Sequence, residues 1–441
     1  MLTREEAKKI TDRVLSFVTL PECSLSLTSA ENAFIRYALN GITTSGYQVE
    51  QALSIVVSKE GKTGSTSVTE FDDKSLRDAM RRAEDLSAIA PPNPEETTPL
   101  EPQKYAAFEN YDTGTASARN KEMIPAVTAV IEGAKQKGFV AAGFFERSAS
   151  ASAIANKRGL FGYERATDSH LSTTVRTPAG TSSGWASHPS VKIAAVDGAK
   201  VGSVAIRKCE QWQNPKRLDP GKFTVVLEPT AVSDLVALLG QQFSARSAEE
   251  GRSFLSKKGG GTMLGEKMFP EWVTLHSDPF DPRYPTTLWG AGGLPADKMT
   301  WIDKGVVKNL WYDRYWAAKA NKPATPQPNR LVLDGTKDTL EDLIASVDNG
   351  LLVTRFFYIR SVNPQTVQLT GLSRDGLFLI EKGKITSPVT NFRFNESPVR
   401  LLQNAVRAGA AERVQGGEGA GMIAPPLVVK DFPFTSISDA V

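Results

Sequence analysis

Apolar residues recur along this chain with two periods, and the switches between them mark out its elements. In TREEAKKITDRVLSFV, Ala7, Ile10, Val14 and Phe17 fall on one helical face, and Thr3 with Glu6 makes a capping-box pattern at the start. SLSLTSAENAFIRYALNGIT and VEQALSIVVSKEGKTGSTSVTEF then read as strands joined by polar turns. The alternation of Leu53, Ile55 and Val57 suits a sheet with one covered face. From Asp72, DDKSLRDAMRRAEDLSAIA returns to the helical period, with Leu76, Met80, Ala83 and Leu86 inward and Arg81 and Arg82 on a solvated face. KEMIPAVTAVIEGAKQKG predicts another helix, and residues 140–187 predict a run of antiparallel strands.

The second half opens on FTVVLEPTAVSDLVALLGQQFSAR, a buried strand running straight into an amphipathic helix. Pro229 suits the first turn, where a missing N–H costs nothing, and Val232, Leu235, Val236, Leu239 and Phe243 make the buried stripe. TWIDKGVVKNLW and LFLIEKGKITSPV repeat one design: an apolar strand, an acid–Lys–Gly turn, a second strand. Between them the pattern predicts a short helix near DRYWAAKA, a proline-rich loop NKPATPQPNR, and a helix at TLEDLIASVDNG ended by Gly350. The fold class is α+β: a mixed N-terminal domain with an antiparallel sheet, then a β-rich C-terminal domain with flanking helices.

A chain of 441 residues exceeds one ordinary core, so two or three domains are expected. PPNPEETTPLEP, residues 91–102, carries five prolines and reads as a stiff connector. QWQNPKRLDPGK, residues 211–222, is the natural boundary, which gives an N-terminal domain over 1–215 and a C-terminal domain over 216–441.

Charge and cysteine content narrow the classes. With 52 basic and 49 acidic residues the net charge is only +3, which is not the footprint of a nucleic-acid binder. No run of about eighteen apolar residues predicts a membrane span, and the charged start lacks a signal-peptide core. Cys23 and Cys209 lie in no CxxC pair, as suits a reducing compartment. A soluble, cytoplasmic protein is expected.

Spacing alone yields no catalytic constellation. The histidines, His170, His188 and His276, do not share a helical turn as zinc ligands usually do, and read as surface or hydrogen-bonded side chains. Asp278 and Asp281 in SDPFDP fit turn formation better than a carboxylate metal site. GTSSG places Ser182 in a G-x-S-x-G pattern, but the following WASHPS does not begin the helix that a nucleophile elbow requires. KEGKTGSTS has Val56 where a phosphate loop needs its first glycine, and SKKGGGT reads as a loop. LLVTRFFYIRSVN interleaves Arg355, Tyr358 and Arg360 with Phe356 and Phe357. On a regular strand Arg355 and Phe357 share one face, and Phe356, Tyr358 and Arg360 the other. An arginine there clamps a peptide carboxylate or snorkels over apolar neighbours. Arg374 and Asp375 in LSRDG read as a turn-stabilising ion pair. NLWYDRYWAAK reads as core or as an aromatic contact surface.

Several stretches, in shared order over nearly the whole chain, resemble the TldD/PmbA family of peptidase-related proteins. They are AFIRYALNGITTSG with SKEGKTGSTSVTEFDDKSLRDAMRRAEDLS, ANKRGLFGYER, SSGWAS, TVVLEPTAVSDLV, WIDKGVVKNLWYDRYWAAKA, TLEDLIASVDNGLLVTRFF and TGLSRDGLFLIEKGKITSPVTNFRF. The resemblance implies a dimer enclosing a chamber. It also implies, for peptide-cleaving members, zinc held by an H-E-x-x-x-H helix and a cysteine in a late glycine-rich segment. Here the helix after VVLEP takes that place and sets Ala237, Leu238 and Gln242 where His, Glu and His would stand. The late segment RAGAAERVQGGEGAGMIAPP has no cysteine. The likeness therefore points to the metal-free, TldE-like branch, with no catalytic residue and no metal or other cofactor expected on this chain.

Three functions remain open on the sequence. The leading one is a subunit that pairs with a zinc-bearing TldD-like paralogue, shapes the chamber and holds an extended peptide or unfolded protein, for instance by strand addition to a sheet edge. The second is an atypical homodimeric hydrolase with Arg355, Tyr358, Arg360 and Arg374 as substrate-binding candidates. The third is a non-enzymatic peptide-binding or regulatory protein that uses the aromatic segment at 309–319. None calls for nucleic acid or membrane.

Overall fold

The computed structural model describes residues 1–416 and 421–438. Helix α1 (Arg4–Leu15) begins with the expected capping box: Thr3 Oγ1 accepts from the Glu6 amide at 3.2 Å, and Glu6 Oε2 accepts from the Thr3 amide at 2.8 Å. Strands β1 (Glu22–Ala38), β2 (Gly41–Lys59) and β3 (Lys62–Val68) follow, then helix α2 (Asp73–Ile89). The proline-rich connector forms neither helix nor strand. After it come α3 (Thr113–Ser117), α4 (Asn120–Gln136), β4 (Val140–Asn156), β5 (Phe161–Arg176), β6 (Ser183–Ser190) and α5 (Gly198–Gln211).

The six strands make one antiparallel sheet in the order β3-β2-β1-β4-β5-β6, and its two faces differ sharply. One face buries Leu25, Leu27, Leu53, Ile55 and Val57 under α1 and α2. The same face buries Ile35, Phe145 and Leu171 under α4 and α5. Helix α2 packs through Leu76, Ala79, Met80, Ala83 and Ser87. Leu86, expected inward, is instead exposed, because the seam steps from Ala83 to Ser87, whose hydroxyl donates to the Lys62 carbonyl at 2.7 Å. The other face is polar. Registered rows set Thr28 beside Ser152 and Glu164, and Asn32 beside Ser148 and Asp168.

The second half contains β7 (Gly221–Leu227), α6 (Pro229–Val236), α7 (Ala245–Glu249), β8 (Leu275–Ser277), β9 (Met299–Asp303), β10 (Val306–Val307), α8 (Arg314–Lys319), β11 (Leu331–Leu333) and α9 (Leu340–Ala345). It continues with β12 (Asn349–Asn363), β13 (Gln368–Glu381), β14 (Lys384–Pro388), β15 (Phe392–Glu396), α10 (Pro398–Asn404), β16 (Ala405–Ala408), β17 (Glu412–Val414), β18 (Met422–Ala424) and β19 (Leu427–Ile437). A second six-stranded sheet runs β10-β9-β8-β11-β18-β17. The third runs β12-β7-β19-β15-β13-β14, and the pairing of β12 with β13 closes five of these strands into a ring. Phenylalanines fill that ring: Phe356 lies 4.6 Å from Phe394 and 5.5 Å from Phe432, centroid to centroid. The antiparallel sheets with helices against them are the α+β class that the periodicity predicts.

Both acid–Lys–Gly sequences form hairpin turns as expected, with positive φ at Lys304 and Gly305 (48° and 82°) and at Lys382 and Gly383 (52° and 73°). Two helices differ from expectation. Helix α9 ends at Ala345, not near Gly350, because Ser346 caps it and Gly350 belongs to β12, which pairs with β7 and β13. The helix after Pro229 tightens into a 3₁₀ stretch, Ala237–Phe243. Its end is tied to Trp311, whose amide donates to the Phe243 carbonyl at 2.7 Å. All five residues of its predicted stripe are nonetheless fully buried. Among the described residues, no helix is long and apolar enough to cross a membrane.

Candidate functional site

The polar face of the first sheet meets the second half of the chain, and a cleft of about 540 Å³ lies at that seam. Strand β6 contributes Trp185 and Ser187, α5 contributes Lys208, the turn from β7 into α6 contributes Glu228, and β17 contributes Glu412 and Arg413. Strands β6 and β17 each end a sheet, so two sheet edges flank the cleft. Across it, Lys208 Nζ pairs with Glu228 Oε2 at 2.6 Å, and Ser187 Oγ donates to the Gln415 carbonyl at 3.1 Å. Arg413 Nη2 donates to both Asp168 carboxylate oxygens at 2.7 Å. Burial, and then the neighbouring Lys200, hold the His188 imidazole below its ordinary range.

Behind the cleft stands α6, whose eight residues are all buried. Asp234 Oδ2 accepts from the Phe356 amide at 2.9 Å and so ties the helix to β12. The late glycine-rich segment arrives on the same helix: a Cβ on Gly416 would lie 2.0 Å from Asp234 Oδ1, so only glycine fits that approach. Residues 417–420 of that segment lie outside the described residues.

These elements do not fit a zinc ion. Ala237 and Leu238 offer no donor atom, and an amide is all that Gln242 supplies. The histidines stand on strands β5, β6 and β8, and the register places His170 opposite Pro189 and His188 opposite Leu171, on opposite faces of one sheet. Among the described residues, no three His, Cys, Asp or Glu side chains are grouped to hold a metal. His170 corrects the expectation of an ordinary histidine. Its Nε2 is buried without a hydrogen bond, and burial, followed by Arg413, pushes it down to about 4.

Nucleophile candidates are likewise committed elsewhere. Ser182 is fully buried and its hydroxyl donates to the Cys209 carbonyl at 2.6 Å, while a strand rather than a helix follows it. Burial pushes the Cys23 thiol up to about 12 and raises that of Cys209. Asp278 and Asp281 shape turns, accepting from the amides of Phe280 and Arg283 at 3.0 and 2.9 Å. In the aromatic segment Leu310, Tyr312 and Trp316 are buried, and Glu249 accepts from Tyr312 Oη and Trp316 Nε1, each at 2.7 Å.

The arginine strand departs from regular alternation. Register shifts between Val353 and Arg355 and between Phe357 and Arg360, with Tyr358 at φ 53°, rotate the later residues out of phase. Arg355 is buried, donates from Nε to Asp375 Oδ2 at 2.7 Å and again from Nη2, and stacks 4.7 Å over the Trp185 ring at the cleft wall. Phe356 is fully buried, whereas Tyr358 is 52% exposed with Arg360 4.1 Å over its ring. Arg374 stacks 4.1 Å over Phe357 and lies 3.9 Å from Asp375. LSRDG is thus no turn but the bulged middle of β13, and the partner that matters to Asp375 is Arg355. Of the four candidates only Arg355 reaches the cleft wall, and its charge is already paired. The cleft residues Lys208, Glu228, Asp168 and Arg413 carried no local signal: Arg413 and Asp168 are 245 positions apart.

Comparison with known proteins matches this architecture. The model for the PmbA/TldA metallopeptidase C-terminal domain covers residues 220–436, and that for PmbA/TldA metallopeptidase domain 1 covers 23–87. A metalloprotease PmbA homolog from Buchnera aphidicola is 22% identical over 218 residues, 48% of this chain and 46% of that protein. A metalloprotease from Methanothermobacter thermautotrophicus is 24% identical over 236 residues, 49% of this chain and 48% of that protein. The chain thus spans about half the length of the curated relatives it matches. The crystal structure of TldE from Thermococcus kodakarensis shares the fold at a TM-score of 0.84 and 21% identity, covering 97% of this chain and 99% of that one. With both family models matched in order over well over half its length, the chain belongs to the PmbA/TldD family.

Proposed function

We propose that this chain is a metal-free, TldE-like subunit of a peptide-processing complex. It pairs with a zinc-bearing member of the family, forms part of the chamber wall and holds an extended peptide. The observation that carries this reading is the α6 region: a family-type strand-to-helix junction whose following residues, Ala237, Leu238 and Gln242, supply neither a zinc ligand nor a general base. Helix α6, which precedes them, serves packing, with every one of its residues buried. Peptide holding is supported by the two sheet edges at the cleft, since an unpaired edge is the surface to which an extended chain adds as a strand.

The test is metal content and peptide hydrolysis of the purified chain, alone and mixed with a zinc-bearing family member from the same cell. The expected result is no stoichiometric zinc and no cleavage alone, a stable complex with the partner, and cleavage in the mixture. Chelator-sensitive hydrolysis by this chain alone, or failure to associate with any such partner, overturns the proposal.

A further inference from the structure

We propose that a second cavity, on the other side of Arg413 from the cleft, binds a small zwitterion: a free amino acid or dipeptide that carries both an ammonium and a carboxylate group. The inference rests on this cavity's own chemistry and not on the function proposed above. The cavity holds about 260 Å³ between the polar sheet face and the loop around residues 284–288. That is just below the usual range for ligand sites, as suits a small molecule.

Its walls carry groups of both signs whose hydrogen-bonding capacity the protein leaves partly unfilled. Glu164, on β5, accepts one hydrogen bond, from the Leu288 amide at 2.6 Å, and pairs with no basic side chain among the described residues. Arg330, at the solvent-exposed mouth of the cavity, donates to the Tyr284 hydroxyl and lies 4.1 Å over that ring, with no carboxylate paired to it among the described residues. Arg413 has a side-chain exposure of only 6%; its Nη2 is taken by Asp168, but its Nε is buried without a hydrogen bond. Between these charges Ser148, Ser150 and Ser152 line the cavity, and their hydroxyls make no hydrogen bond to protein among the described residues. Burial without a cation also pushes Glu164 up to about 7, the behaviour of a carboxylate that lacks its partner.

A buried guanidinium N–H without an acceptor and a largely buried carboxylate without a cation are both costly, so the occupant that suits this wall serves both. A simple anion would face Glu164 and Asp168, and a simple cation would leave Arg330 and the Arg413 Nε unserved. A neutral polyol would engage the serines and neither charge. An ammonium toward Glu164, a carboxylate toward Arg330 and Arg413, and a short polar span over the serines satisfy all of them.

Isothermal titration calorimetry on the full chain tests this with L-alanine and L-alanyl-L-alanine against N-acetyl-L-alanine and L-alaninamide. Each of the last two lacks one charge. Saturable binding of at least one zwitterion is expected, at least tenfold tighter than either blocked form; which zwitterion binds separates amino acid from dipeptide. Glu164→Gln, which keeps an acceptor for the Leu288 amide, and Arg330→Gln are each expected to weaken binding at least tenfold. The ligand series on the unaltered chain tests the charge pattern even if a variant fails to fold. No saturable zwitterion binding, or blocked forms that bind as tightly, overturns the inference, as does undiminished affinity in both folded variants.

Discussion

The pair Arg355–Asp375 is expected to act as one structural unit, and a double-mutant cycle measures it. Both residues are buried, at 7% and 0% exposure, and the guanidinium donates twice to Asp375 Oδ2. Removing one partner of such a pair strands the other charge, at a cost of about 3–5 kcal/mol. Asp375 has φ 57°, a conformation that asparagine tolerates, so Asp375→Asn removes the charge with little backbone strain and falls at the lower end, about 3 kcal/mol. Arg355→Met strands the carboxylate and also loses the stack on Trp185, so about 4 kcal/mol is expected. The double variant leaves no buried charge from this pair. Its cost is expected near 4 kcal/mol rather than the sum of about 7, a coupling of roughly 3 kcal/mol. Urea unfolding followed by tryptophan fluorescence and circular dichroism reads all four corners. Additive single effects, or a loss below about 1 kcal/mol for Asp375→Asn, would refute the assignment and return Arg355 to the substrate-binding candidates.

Three further outcomes follow from packing and titration. A Cβ at Gly64 would stand 2.0 Å from the Ala83 carbonyl oxygen, where β3 crosses α2; Gly64→Ala is expected to destabilise by about 3 kcal/mol in thermal unfolding, and an unchanged midpoint would mean that the two elements are not so close. His170 has its folded-state pKa depressed to about 4, so its contribution is present above the unfolded value near 6.5 and is lost as pH falls through about 4. His170→Asn should flatten that acid limb by up to about 3 kcal/mol, and an NMR titration midpoint near 6.5 would contradict the burial argument. Glu164, raised to about 7, has the opposite sign: its contribution is present below about 4.5 and lost as pH rises through 7. Glu164→Gln is therefore expected to gain stability relative to the parent above pH 7, and no gain in denaturant midpoint there counts against it.

What was legible in the sequence was whatever a local period encodes. The capping box at Thr3, the alternation at Leu53, Ile55 and Val57, and both Lys–Gly turns are set by neighbours within a few positions. Helix α5 carries the same kind of signal, Asp197 as N-cap ahead of Val201, Ala205 and Cys209 at four-residue spacing. Leu86 and the ending of α9 depart from the local period because tertiary pairing, of Ser87 with β3 and of Gly350 with β7 and β13, decides those positions. The arginine strand failed for a more instructive reason. One extra residue in a strand reverses every later side chain, and nothing local in RFFYIR announces the shift at Tyr358. Neither cavity was legible, because their walls are assembled from residues on different sheets.

On the function proposed above, the junction after VVLEP has given up the family's reactive positions, and Ala237, Leu238 and Gln242 stand in the 3₁₀ stretch beyond α6. Helix α6 itself is buried along its length, with Asp234 facing inward to hold the Phe356 amide of β12. That bond anchors the strand whose next residue toward the N-terminus, Arg355, supports Trp185 on the cleft wall. The carboxylate on this helix therefore fixes the cleft wall through β12. If that is so, Asp234→Asn, which retains an acceptor for the Phe356 amide, should leave partner association and peptide holding intact, whereas Asp234→Ala should weaken both as it loosens β12. Equal loss in the two variants would show that the charge itself matters, and that the helix has kept a chemical role.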